Sequence, residues 1–177
     1  MAYDNVDAPF GFRFYSEAGK DYPNLVPRPV AASRTDPIAV GDPYTIGTDG
    51  FAIKAVAGAV HGIVAGFDFA PKTAGQPESQ DYLPAADAGT ILGIEDPNVH
   101  FEAQITTVAL ADFDGSACDI VGTDADATTR QSREELDGAT IGSGAQFRLV
   151  RLVPRPVDNA LGANAKVIVR MLQAFGG

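Results

Sequence analysis

The sequence predicts an all-β fold, a sandwich or barrel of jelly-roll or Greek-key type with an extended N-terminal arm and long loops. Three observations predict it. Short apolar segments rich in aromatic and β-branched residues recur along the chain. Clusters of turn formers separate them, drawn from 19 glycines and 12 prolines. No stretch sustains an apolar stripe at the helical period, and residues 129–136 have room for one or two helical turns at most. A chain of 177 residues reads as one domain, here an arm over 1–11 and a β domain over 12–177.

The elements follow in order. Phe12-Arg13-Phe14-Tyr15 places aromatics around one charge. Tyr44-Thr45-Ile46 and Phe51–Ala55 flank Gly47-Thr48-Asp49-Gly50, a hairpin signal because glycine and aspartate tolerate positive φ. His61–Phe69 and Thr90–Ile94 are short and apolar. Val99–Ile105 alternates, with Val99, Phe101, Ala103 and Ile105 expected inward and His100, Glu102 and Gln104 outward. Gln146–Leu152 and Lys166–Leu172 complete the set. Long loops are expected at 70–88 and 111–145.

One hexapeptide occurs twice, Leu-Val-Pro-Arg-Pro-Val at 25–30 and at 152–157. Proline fixes φ and lacks an amide donor, and the residue before it is pushed towards extended geometry. Each copy therefore reads as a stiff edge or polyproline-like segment with its arginine projecting outward. No wider similarity flanks the copies, so two edge strands that end alike explain them better than an internal duplication. Two roles stay open: blocking edge-to-edge aggregation, or offering Arg28 and Arg155 to an acidic partner.

The formal charge of −10 argues against binding a nucleic-acid backbone or an anionic membrane surface. The longest uncharged apolar run, Ala55 to Phe67, is too short and too glycine-rich to span a bilayer, and the opening residues do not resemble a signal peptide. The expected site of synthesis is a cytoplasm. Cys118 is the sole cysteine, which excludes an internal disulfide and a cysteine-based zinc site.

Chemistry-bearing patterns are sparse, and no enzyme is expected. The glycine-rich stretch 58–62 lacks a P-loop lysine, and Gly142-Ser143-Gly144 lacks the spacing of a nucleophile elbow. His61 and His100, the only histidines, make no zinc-binding pattern. Acidic neighbours should raise the Cys118 pKa and make it a poor nucleophile. Asp124, Asp126 and Glu135 fall at positions 1, 3 and 12 of a calcium loop, but Thr129 stands where that loop needs glycine. They are candidates for a non-EF calcium site, against the simpler reading of a solvated acidic loop. No cofactor and no resident metal is expected.

Several phrases together resemble the head decoration, or cement, proteins of tailed bacteriophages. Ala8-Pro9-Phe10-Gly11-Phe12-Arg13 resembles their APFGFRP start, with Phe14 in place of the proline. Gly41-Asp42-Pro43, then Gly62–Phe67, resembles their GDPV and GVFAG strands. Ile94–Gln104 resembles their DDPN and FEVQ segment. The likeness is scattered over residues 8 to 105, and 111–145 matches none of it.

The resemblance implies a non-enzymatic β protein on the outside of a capsid, made in the host cytoplasm. Its partners would be the major capsid protein and itself, as a dimer or trimer. Phe10 and Phe12 would then anchor the arm in a shell groove, or else simply cap the protein's own core, and Arg28 and Arg155 are further contact candidates. Removing 1–12 is expected to weaken capsid binding and spare the fold. The alternative is a β-sandwich module for adhesion or receptor binding that holds sugar or calcium.

Overall fold

The computed structural model describes residues 5–16, 23–68, 81–155 and 159–172. The strands are β1 (Arg13–Ser16), β2 (Val26–Val30), β3 (Ile38–Ala39), β4 (Pro43–Ile46), β5 (Ala52–Lys54), β6 (Gly62–Asp68), β7 (Tyr82–Leu83), β8 (Gly89–Ile94), β9 (His100–Val108), β10 (Ala117–Ile120), β11 (Leu136–Asp137), β12 (Phe147–Leu152) and β13 (Gly162–Met171). Two short 3-10 helices cover Leu110–Asp114 and Gly138–Thr140. The all-β expectation holds.

Five strands close on themselves in the order β9-β11-β10-β12-β13 and back to β9. β1 lies end to end with β11 on the same edge of β9: Phe14 pairs with Phe101, and Leu136 with Ile105. Alternation fills this barrel. Phe101, Ala103 and Ile105 of β9, Val167 and Val169 of β13, and Phe147 and Leu149 of β12 all point into one buried cluster. A barrel this narrow is filled by side chains and leaves no channel. Phe12 enters its mouth and stacks on Phe147, with ring centroids 4.4 Å apart.

The second sheet is antiparallel, in the order β2-β8-β6-β4-β5. Tyr44 is its central side chain, fully buried among Val30, Ile38, Val64 and Ile91. The ring occupies a slot left by two glycines. A Cβ on Gly93 would stand 2.0 Å from the Tyr44 hydroxyl, and one on Gly62 would stand 2.7 Å from it. β3 and β7 form a small ribbon beside this sheet. The Gly47–Gly50 hairpin forms as the sequence indicated: Gly47 N–H donates to Phe51 O, and Gly50 has φ 84°.

The predicted N-terminal arm needs correction over its described part, 5–11. It is docked on its own barrel. The Asn5 side chain donates to Ala160 O and Ala163 O and accepts from Ala160 N–H. Ala8 N–H donates to Gln104 Oε1, and Gly11 N–H to Glu134 O. These contacts satisfy backbone groups that a free arm would leave to water. They also cover Gln104, which points outward as expected yet is 0% exposed.

The two hexapeptides differ in setting. The first is the edge strand β2, paired with β8 along its whole length. Alternate residues face alternate edges, so Pro27 and Pro29 turn their donor-less nitrogens to the same, open side. The second copy begins at the end of β12, an interior barrel strand paired on both sides, which corrects the expectation of two edges. Residues 156–158 lie outside the described ones.

One helix that the sequence allowed is absent, and one expected loop carries strands. Segment 129–136 makes no helix, because Ser132 and Glu134 must both reach inward, an alternation that extended backbone supplies. The loop expected at 111–145 contains β10 and β11, which add Cys118, Ile120 and Leu136 to the core. Of the loop expected at 70–88, residues 70–80 lie outside the described ones, and Tyr82–Leu83 form β7.

The glycine slot sets a test. Gly93→Ala should cost about 1–3 kcal/mol or more by overpacking against Tyr44. Gly66→Ala, where the added methyl would find its nearest neighbour at 3.9 Å, should cost far less. Urea unfolding of the two variants measures the contrast.

Candidate functional site

The predicted contact residues separate into a buried one, two paired ones and one that stays at the surface. Phe12 is 3% exposed inside the barrel and is not available as a shell anchor. Removing 1–12 would therefore strip the core as well, so the expectation that the fold survives is also corrected. Phe10 is half-buried, with the Arg13 guanidinium 4.1 Å above its ring.

Arg28 does not project outward. It shares a face with Val26 and Val30 and grips Glu95 with two hydrogen bonds, Nε to Oε1 at 2.6 Å and Nη2 to Oε2 at 2.7 Å. Tyr44 donates its hydroxyl to the same Oε1 at 2.6 Å. Burial pushes the Glu95 carboxyl up, but the bonds from Arg28 and Tyr44 outweigh it and hold the pKa below the usual range. Burial and the Glu95 carboxylate push the Tyr44 phenol up. The set closes the polar end of the tyrosine slot. Arg155 likewise pairs within the chain, with Nη2 2.9 Å from Glu102 Oε1.

Two adjoining grooves meet at Phe10. One, of about 280 Å³, runs past Arg13, Arg130, Gln131 and Asp81. The other, of about 400 Å³, runs past Pro9, Arg13, Arg155 and Lys166. Four cations and one carboxylate thus line a surface on a chain of charge −10. Arg13 belongs to β1, Lys166 to β13, and Gln131 to the strap 121–135 that crosses from β10 to β11.

The calcium candidates do not converge. Asp124 pairs with Lys54 at 3.2 Å. Asp126 accepts the backbone N–H groups of Thr128 and Thr129, which hold its carboxyl below the usual range. Glu135 accepts from the Gln104 side chain. Among the described residues no group of His, Cys, Asp or Glu is arranged to hold a metal. Cys118 is buried, and burial together with Asp119 and Asp137 pushes its thiol up to about 12, the direction the sequence indicated. His61 and His100 sit apart, near Thr45 and Ser16 respectively.

Comparison with family models, curated proteins and solved structures returns no match for this chain. No described helix is long and apolar enough to cross a membrane.

The strap 121–135 carries the feature that sequence reasoning missed. Ser132 donates to Asp42 Oδ1, and Asp42 Oδ2 accepts Ala39 N–H at 2.8 Å. The Lys54 ammonium, fully buried, donates to Thr123 O and Asp124. Glu134 is buried too: Oε1 accepts Gly122 and Thr123 N–H, and Oε2 has no partner among the described residues. Burial raises the Asp42 pKa against the pull of Lys54. Burial raises that of Glu134 to about 7, against the Gly122 hydrogen bond and the Lys54 charge. These partners are far apart in sequence, 90 residues for Ser132 and Asp42, so no local spacing marks them.

Two tests follow. Phe12→Ala should cost about 3–5 kcal/mol, while Phe10→Ala should leave stability nearly unchanged. Because the Glu134 pKa is raised on folding, its contribution is present below the ordinary carboxyl value and is lost as pH rises through about 7. Glu134→Gln should therefore gain stability on wild type between pH 5 and pH 8, by about 1–3 kcal/mol, read by denaturation at both values.

Proposed function

We propose that this chain is a non-enzymatic virion structural protein that binds the outside of a phage capsid and stabilises contacts between major capsid subunits. It is made in the host cytoplasm and acts as a homo-oligomer, without cofactor. The observation that carries the reading, beside the resemblance in 8–105, is the cation-lined surface around Phe10. It is an open surface built by β1, β13 and the strap, with a half-buried aromatic ring and four cations to one carboxylate on a chain of charge −10. Such a surface suits many modest, repeated contacts with one shell lattice, where multivalent seating multiplies affinity.

The polar groups within the fold agree with a load-carrying part. Asp42, Ser132 and Lys54 hold sheet and barrel together, and Arg28 and Glu95 tie strands within the second sheet. The alternative, a module for sugar or calcium, gains nothing from the dispersed Asp124, Asp126 and Glu135. Calorimetric titration with calcium should show no saturable heat. Saturable heat lost in Asp126→Ala would favour the alternative.

The direct test is quantitative mass spectrometry of purified particles. The ratio of this chain to the main shell protein should be a simple fraction, and a trace ratio would remove the capsid reading. On shells stripped of the protein, Phe10→Ala should lower affinity about tenfold or more, the loss expected for one aromatic contact.

A further inference from the structure

We propose that the strap 121–135 is a proton-controlled latch: with Glu134 neutral it stays down on the second sheet and forms one side of the Phe10 groove, and with Glu134 charged it lifts. The latch stands on the geometry of the junction, and only its use at a shell rests on the function proposed above.

The strap is fastened almost wholly by polar groups. Of residues 121–135 only Ala125, Ser132 and Glu134 are buried. Ala125 meets Ala39 and Tyr82 in a small cluster apart from both main cores. Among the described residues the hydrogen bonds from the strap to the second sheet run from Ser132 to Asp42 and from Lys54 to Thr123 and Asp124. On the barrel side Gly11 lies against Ser132 and donates its N–H to Glu134 O. The outer turn closes on itself, Asp126 N–H to Gln131 O and Arg130 N–H to Asp126 O. A segment with so little apolar burial belongs to the low-stability end of a fold and opens before the rest.

The charges at the junction do not balance. Around Glu134 stand Asp42 of β4, Lys54 of β5 and, bonded to Lys54, Asp124 of the strap. Asp7 and Glu135 are turned to the Gln104 side chain, and Arg133 to Asp126. One ammonium therefore serves three carboxyls. The Asp124 side chain is 63% exposed, so water serves it as well. Asp42 has both oxygens bonded, to Ser132 and to Ala39 N–H. Glu134 is left short. Its Oε1 accepts the N–H groups of Gly122, Thr123 and Glu135, while Oε2 is buried without a partner among the described residues. A neutral carboxyl tolerates that site far better than a charged one, which would lose its hydration with one oxygen uncompensated.

Opening returns Glu134 to water, where its carboxyl recovers its ordinary pKa. Closed, burial holds that pKa up at about 7, and Asp42 is raised for the same reason. The closed strap therefore keeps a proton that the open strap releases. Closure is fully favoured below the ordinary carboxyl value and weakens as pH rises to about 7. The strap supplies Arg130, Gln131 and Ser132 to the groove of about 280 Å³, so lifting it leaves Phe10, Arg13 and Asp81 without that side.

Amide hydrogen exchange on the free chain tests this, with protection corrected for the intrinsic pH dependence of exchange. The Gly122, Thr123 and Asp126 amides should be protected at least about tenfold less than those of the β9–β13 ladder, the mark of an opening short of global unfolding. Their protection should fall by about tenfold or more between pH 5 and pH 8. Glu134→Gln keeps the acceptor oxygen and cannot charge, and it should hold that protection within about threefold over the same range. Strap protection equal to that of the ladder would mean that the strap opens only with the whole fold, and would overturn the proposal. So would protection that ignores pH, or a fall that Glu134→Gln retains. The two wild-type readings decide the matter even if the variant does not fold. No shell enters the experiment, so a failed shell reading leaves the result standing.

Discussion

Sheet and barrel are joined across charges that water does not reach. Asp42 at the start of β4 and Lys54 at the end of β5 meet Ser132 and Glu134 of the strap that leads into β11. An ion taken out of water costs several kcal/mol unless its attractions and hydrogen bonds replace the lost hydration. That requirement fixes the strap. Asp42 must find the Ser132 hydroxyl, and Glu134 must find the amides of Gly122 and Thr123, or the junction does not form. β11, whose Leu136 closes the barrel ring, follows directly from Glu134, so ring closure depends on this junction as well.

The second sheet is organised around one phenol. Tyr44 contributes a large apolar surface and carries a hydroxyl that needs a partner when buried. Gly62 and Gly93 make room for the ring, and Glu95, two residues beyond Gly93, accepts the hydroxyl while Arg28 balances its charge. The first hexapeptide is thereby explained on both faces. Its arginine faces in to Glu95, and its prolines face the open edge. The identical letters at 152–157 serve a different end: Leu152 finishes an interior strand and Arg155 pairs with Glu102. Identity of sequence did not imply identity of environment.

The legible part of the fold was the part with period two. β9 showed its inward set, Phe101, Ala103 and Ile105, and its outward set, Glu102 and Gln104, because one face meets the core. The Gly47–Gly50 turn was legible because few residues tolerate its backbone. β10 and β11 were not, since four and two residues amid glycine and aspartate show no period. Among the candidate residues, Phe10 stays partly at the surface, in keeping with its place beside proline and glycine. Phe12 takes the core side of two readings that the sequence left open, because an aromatic near a terminus looks the same whether it enters a core or a partner. Lys54 and Glu134 resemble ordinary surface charges, and only the tertiary approach of two sheets makes them a buried set.

Barrel closure also has an order in time. The ring closes through β13 on β9, and β13 is the last described strand to leave the ribosome. Until it arrives, β9 and β12 each have an unpaired edge and Phe101 has no lid. The early segment 5–11 is equally dependent, because Asn5 binds at Ala160 and Ala163, made only near the end. Non-local pairing of this kind is slow to form. A nascent chain therefore cannot present its finished outer faces, and any contact made on them must wait until the chain is whole.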